Sequence, residues 1–271
     1  MIRKAGFVIL VSLAVIYCSG PLLWQFVTSL KPDHELTVIP PVLPLNPTGM
    51  HYMAIFREYP FLRIIMNSFL VAASTTVFSL AIGSLCAFAL AKLRVGFRAF
   101  ILGFILSVSM FPPIATVSPL YIIIRFLELR DTLTALIITY TTFSLPLSVW
   151  IMTSFFKEIP DEIYLAAKVD GCSPFQIFYR IMLPLSMPGL FTTAILVFIF
   201  SWNEFLFALT FTSTQASRTI PVAIALFPGL HEVPWGDIAA ASMVVTLPLV
   251  VLVFVFQKRI IEGLTAGAIK G

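Results

Sequence analysis

The sequence predicts an all-α membrane fold of six transmembrane helices, and three observations predict it. The 271 residues are 59% hydrophobic and only 11% charged, whereas a soluble domain averages about 25% charged residues. Six uncharged stretches are long enough to cross a bilayer, each crossing needing about 20 residues. Finally, the short alternating segments of a membrane β-barrel are absent, so helices are the remaining way to satisfy a backbone in lipid. The formal net charge of +4 does not point to nucleic acid, because the basic residues are scattered between spans instead of gathered on one face.

The six stretches are Ala5 to Leu30, Ile64 to Ala91, Ala99 to Ile124, Thr132 to Phe156, Ile181 to Asn203 and Ile238 to Gln257. The first is too long for the apolar region of a signal peptide and lacks a small-x-small cleavage site, so it reads as a retained span. Cys18 follows bulky Tyr17, a poor lipoprotein processing site. The loop after it, KPDHELTVIPPVLPLNP, holds five prolines, which favour an extended, ordered crossing. His34 and His51 lie in this region with no third partner and read as surface histidines. The fifth span starts in earnest near Met187, after two prolines, and is expected to run on past Glu204 into FLFALTFT. Thr219 to Leu230 is apolar but short, with Pro221 and Pro228, and reads as a re-entrant or surface segment. Cys18 and Cys86 fall inside spans and Cys172 outside them; no pairing and no metal-ligand spacing is suggested. With no internal repeat and no linker, residues 1–271 read as a single transmembrane domain.

Six spans put both termini on one side, and Lys and Arg decide which. Eleven of them fall on the terminal side and six on the other. Both termini are therefore expected in the cytoplasm, and so is the polar island between the fourth and fifth spans.

That island, residues 158–188, reads EIPDEIYLAAKVDGCSPFQIFYRIMLPLSMP. Pro160 can open a helix whose first turn carries Asp161 and Glu162, where the helix dipole favours negative charge. The run IYLAAKV carries it to Asp170, and Gly171 supplies the left-handed residue that ends it. Ser173 with Gln176 is a capping-box pattern, and Pro174 fits the first turn that follows. A second helix then runs until Pro184 and Pro188 mark the approach to the next span. Two short helices meeting at an Asp-Gly corner are predicted, with Ala166, Ala167 and Gly171 leaving small surfaces for another backbone or a groove wall. An ordinary loop with two helical turns is the plainer alternative.

AAKVDG followed by FQIFYRIMLPLSMP resembles the cytoplasmic coupling loop, or EAA loop, of permease subunits in ATP-binding-cassette importers. The resemblance implies that Asp161, Glu162, Ala166, Ala167, Asp170, Gly171 and Pro184 belong to a knob that docks on an ATPase. One departure stands out: the glutamate that names the motif falls on Leu165, so the family's ion pair from that position cannot form here.

The chain lacks G-x-x-x-x-G-K-[ST], so it does not bind and hydrolyse ATP in the usual way. It also lacks a G-x-S-x-G elbow and H-E-x-x-H, so it does not read as an enzyme. Glu204 lies 17 residues after Met187, about 25 Å along a helix, which puts it near the outer face. Trp202, Asn203 and Glu204 either line a translocation path or form an interfacial helix end. SWNEFLFALTFT resembles the fifth span of sugar-importer permeases, and the tail GLTAGAIKG (residues 263–271) resembles the segment that a maltose-type permease inserts between its ATPase subunits. That likeness marks Gly267 and Lys270 as ATPase contacts, and HEVPWGD marks His231 and Trp235 as contacts to a binding protein. Over its whole length the chain resembles the maltose/trehalose-type permease subunit without a long extra N-terminal domain. The resemblance implies an inner-membrane location, a second permease subunit, two subunits that bind ATP and Mg, and an extracytoplasmic sugar-binding protein. It implies no cofactor in this chain itself. A secondary sugar transporter or channel subunit is the alternative.

Overall fold

A computed structural model describes residues 2–36, 42–227 and 233–266. Among these the chain is helical with no strand: α1 Ile2–Ser29, α2 Asp33–Leu36, α3 Met50–Arg57, α4 Phe61–Lys92, α5 Arg98–Ser109, α6 Pro113–Phe126 and α7 Leu133–Glu158. Then follow α8 Asp161–Val169, α9 Pro174–Ile177, a π-helical turn Phe178–Met182, α10 Leu183–Leu185, α11 Met187–Asn203, α12 Leu206–Phe211, α13 Ile220–Ala225 and α14 Trp235–Ala266.

Among the described residues four helices are long and apolar enough to cross a membrane: 6–29, 61–92, 133–158 and 235–257. The third and fifth expected spans are each broken into a bent pair. α5 and α6 meet at 90°, and the segment Pro174–Leu185 meets α11 at 80°. The first break falls at Pro112 and Pro113, which donate no backbone hydrogen bond and push the preceding residue out of helical geometry. Against the six spans expected, the described residues give four candidates, or up to six if each bent pair is one span.

The described chain clusters into two compact units, 1–63 with 223–248, and 64–222 with 249–271. In the second, α7 is the most enclosed span, with half of its most apolar window buried. It buries Thr139, Ser144, Ser148 and Thr153 as well as apolar residues. Small residues let neighbouring helix backbones approach closely where lipid supplies no hydrophobic drive. Gly83 on α4 shows this: a Cβ there would stand 2.7 Å from the Cβ of Ser148. One core cluster joins Val71, Leu136, Tyr140, Phe207, Phe211 and Val222. At that end of α4 the Asn67 amide donates to the carbonyls of Ala216 and Arg218 at 2.9 and 3.0 Å. Beside it the Ile220 N–H donates to the Ser68 hydroxyl at 2.8 Å.

In the first unit His51 is not a surface histidine. It is 2% exposed, its Nδ1 lies 2.7 Å from Asp237 Oδ1, and its Nε2 lies 2.9 Å from the Lys31 carbonyl. The polar ring is buried because each nitrogen meets an oxygen acceptor, which removes most of the burial cost. His34 is exposed, as expected. Glu35 is also buried, and its carboxylate accepts from the backbone N–H groups of Leu45 and Asn46 at 3.1 and 3.2 Å. The Lys31 ammonium packs over the Trp24 ring, 4.6 Å from its centroid.

Candidate functional site: the Asp-Gly corner

The corner after α8 is built from backbone geometry. Gly171 has φ +82°, a region that side-chain-bearing residues resist and glycine accepts freely. The Cys172 N–H donates to the Ala167 carbonyl at 3.0 Å and the Gly171 N–H to the Lys168 carbonyl at 3.1 Å. This pair of bonds is the Schellman ending of a helix. The next helix opens with a reciprocal capping box: the Gln176 N–H donates to Ser173 Oγ at 3.3 Å, and the Ser173 N–H to Gln176 Oε1 at 2.8 Å. Pro184 does not end this second helix but sits inside it. Proline clashes with the carbonyl four residues back, and the chain answers with the π turn, where the Leu183 N–H reaches the Phe178 carbonyl.

One face of the knob is sealed against its own chain. Ala167, Ile177, Phe178 and Met182 pack with Phe88 of α4 and with Met152 and Phe156 of α7. The backbone that approaches the small surface of Ala167 belongs to this chain: Ala167 is buried, and its small side chain lets α8 sit close to the spans. Asp161 is also tied back, 2.5 Å from Lys92 Nζ, and that hydrogen bond holds its carboxyl below the usual carboxylate range.

The opposite face is open. Glu162, Leu165, Ala166, Val169, Asp170 and Gly171 are exposed, with Leu165 at 55% and Val169 at 87%. Phe175 and Tyr179 are exposed on the second helix. A turn this heavily stitched, presenting Leu165 and Val169 on a helix outside every candidate span, has the character of a docking surface.

Residues 79–265 match the family described as the binding-protein-dependent transport system inner membrane component. The chain belongs to this family. The permease is 43% identical to the trehalose transport system permease protein SugB of Mycobacterium tuberculosis, over 99% of this chain and 98% of the relative. It is 41% identical to the trehalose/maltose transport system permease protein MalG of Thermococcus litoralis, over 96% and 94%. Its fold matches a chain of a bacterial ABC transporter involved in the import of the acidic polysaccharide alginate, with TM-score 0.82 and 20% identity. That match covers 95% of the permease and 96% of the solved chain.

At the far end of α11 the permease departs from the expected continuous helix. α11 stops at Asn203, and Glu204 turns to extended geometry with ψ 129°. Its carboxylate then accepts from the N–H groups of Phe207 and Ala208 at 2.9 and 3.2 Å, and so opens α12 as a cap does. Trp202 is buried and stacks on Phe198, with ring centroids 5.6 Å apart. Of the three residues expected on a translocation path, only Asn203 is exposed, and its amide donates to the Ile199 carbonyl at 2.8 Å.

Sequence reasoning missed Asp131, the hub of the neighbouring turn. Its carboxylate accepts from the N–H groups of Ser213 and Thr214 at 2.7 and 3.0 Å, from Thr214 Oγ1 at 2.7 Å and from the Ser217 hydroxyl. Burial alone would raise its pKa, but the Ser217, Thr214 and Ser213 donors outweigh that and hold the carboxyl well below the usual range. The only sequence signals were an acidic residue just before a span and, far along the chain, the hydroxyl-rich run STQAS. Trp235 opens α14 and is exposed; His231, Gly267 and Lys270 lie outside the described residues. Among the described residues no group of three His, Cys, Asp or Glu could hold a metal ion.

Proposed function

We propose that this permease is the translocation subunit of an ATP-driven sugar importer, carrying a di- or oligosaccharide. The single observation that carries the reading is the Asp-Gly knob, sealed on one face and presenting Leu165, Ala166 and Val169 between Glu162 and Asp170 on the other. The bias of Lys and Arg favours both termini, and this knob, in the cytoplasm. There, two partner ATPase subunits bind ATP and Mg, and their closure moves the knob. The spans attached to it then open outward, where a binding protein delivers sugar. A second, homologous permease subunit completes the pore, and residues 1–271 act as one transmembrane domain within it.

In this reading Glu162, Ala166, Asp170 and Gly171 meet the ATPase socket directly. Asp161, Ala167 and Pro184 shape the knob from behind, and Gly267 and Lys270 reach between the ATPase subunits. Asn203 faces the sugar path while Trp202 and Glu204 set the corner that presents it. His231 and Trp235 face the binding protein. The sugar class comes from the relatives named for trehalose and maltose transport.

The test is ATP hydrolysis by the reconstituted complex with and without sugar-loaded binding protein. Stimulation by the loaded protein is expected, with calorimetry of the binding protein against a sugar panel naming the substrate. Uptake that survives ATP depletion would replace this reading with a secondary transporter or channel.

A further inference from the structure

A cleft of about 570 Å³ opens between residues 91–98, which join α4 to α5, and the flank of α8. Lys92, Arg94, Arg98 and Lys168 line it with one carboxylate, Asp161. Lys92 is already engaged, donating to Asp161 at 2.5 Å and to the Ile159 carbonyl at 2.6 Å. Among the described residues the side chains of Arg94, Arg98 and Lys168 make no ion pair within 4.0 Å and no hydrogen bond, although the Arg98 charge helps Lys92 hold the Asp161 carboxyl low. Two helices also begin at this cleft, α5 at Arg98 and α8 at Asp161, and neither start has a side-chain cap. The first-turn N–H groups of α5, which carries no acidic residue there, add partial positive charge to that of the side chains, whereas those of α8 are answered by Asp161 and Glu162. The chain gathers cations here and supplies too few anions to answer them.

The surroundings decide what kind of anion fits. Lys92 is the last residue of a membrane span, and Arg98 opens the next apolar helix. Between them Phe97 is 86% exposed and held at φ +56°, a conformation that costs an aromatic residue energy. Phe100, on the first turn of α5, is 73% exposed. Exposed aromatics beside cations without a hydrogen-bonded partner suit the level of lipid headgroups better than open water. A basic pocket between span ends on the cytoplasmic side has the charge and depth for an anionic headgroup.

We propose that this cleft binds the phosphate of an anionic phospholipid of the cytoplasmic leaflet, through Arg94, Arg98 and Lys168, with Phe97 and Phe100 against the acyl boundary. The side of the membrane rests on the orientation proposed above. A lipid held there touches both the α4–α5 corner and the α8 flank of the knob, so membrane charge would bear on the coupling helix.

The test is native mass spectrometry of the full-length permease, purified with the subunits that accompany it and titrated with phosphatidylglycerol or phosphatidylcholine. Removing two cations in the Arg94→Gln/Arg98→Gln variant should weaken phosphatidylglycerol retention about thirtyfold, at roughly tenfold per 1.4 kcal/mol. Phosphatidylcholine retention should not change. The charge-keeping Arg94→Lys/Arg98→Lys variant should retain phosphatidylglycerol within about threefold of the natural chain, which separates lost charge from lost folding. Equal retention by the natural and Gln chains overturns the proposal. Displacement of the lipid by millimolar inorganic phosphate overturns it in favour of a soluble anion. Retention that appears only after the ATPase subunits are stripped away overturns it in favour of a protein contact. Lipid retention is read without transport. A complex that fails to couple sugar to ATP can therefore still hold the lipid, and one that holds no lipid can still couple, so the two failures are distinguishable.

Discussion

The corner at Asp170–Gly171 and the corner at Asp131 are both short polar turns beside a span, and they are held in opposite ways. The first is closed by backbone bonds between residues within five positions of each other, and it leaves Leu165, Ala166 and Val169 open. The second is closed by one carboxylate that gathers four donors from Ser213, Thr214 and Ser217, more than 80 residues away. A locally closed corner keeps its shape while the rest of the molecule moves, which suits a part that transmits force. A corner closed across the chain keeps two segments together, which suits a part that stays still.

The largest effect should come from Gly171→Val. A β-branched residue in the left-handed region costs about 1–3 kcal/mol and opens the Schellman ending. Sugar-stimulated ATPase activity should vanish while the chain still inserts and assembles; full transport by this variant would contradict the role of the corner.

Asp131→Ala should instead strike stability, by about 1–3 kcal/mol for the donors it strands, read as a lower melting temperature in detergent. The pH dependence has a definite sign. A carboxyl held below its usual pKa adds stability above the unfolded value of about 3.9, and that contribution is lost as pH falls towards the folded value. The gap in melting temperature between the natural chain and Asp131→Asn should therefore be constant from about pH 5 to 7 and narrow below about pH 4. A gap that widens on acidification would show that the carboxylate is not the stabilising form.

A smaller change is expected at Leu165, the position that the coupling-loop resemblance assigns to glutamate. Leu165 is exposed beside Lys92, Arg98 and Lys168, so Leu165→Glu meets favourable charge. Coupling should stay within about threefold of the natural chain, equivalent to under about 0.7 kcal/mol. A severe loss would show that the ATPase socket has been rebuilt around an apolar residue.

Glu204 should act on stability and leave transport nearly unchanged. Since its carboxylate caps α12, Glu204→Leu should cost about 0.5–2 kcal/mol of stability, and Glu204→Gln, which keeps an acceptor, less. Transport at low sugar that collapses in both variants with unchanged melting would place Glu204 on the sugar instead.

The contrast between the two corners also explains what was legible in the sequence. Spans follow from runs of apolar residues, and the Asp-Gly corner from Pro160, Gly171, Ser173 and Gln176, because these act on neighbours in the chain. The π turn was not legible, since Pro184 reads equally as a helix end or as an interior strain. Asp131 with Ser217, His51 with Asp237 and Lys92 with Asp161 are meetings across 69 to 186 residues, and no local pattern announces them. Trp202 reads as a path-lining or interfacial ring because composition cannot tell an outward ring from one stacked on Phe198. Glu204 looked like part of a long helix because its capping of α12 depends on a bend that its own neighbours do not encode.

The most direct test places a photo-crosslinking amino acid at Val169, the most exposed apolar residue of the knob, in the full-length permease within membranes. Irradiation should join it to the ATP-hydrolysing subunit, and sugar-loaded binding protein with ATP should change the yield. Crosslinking to lipid alone, or to the external binding protein, would contradict the claim that this corner is the joint between ATP hydrolysis and transport.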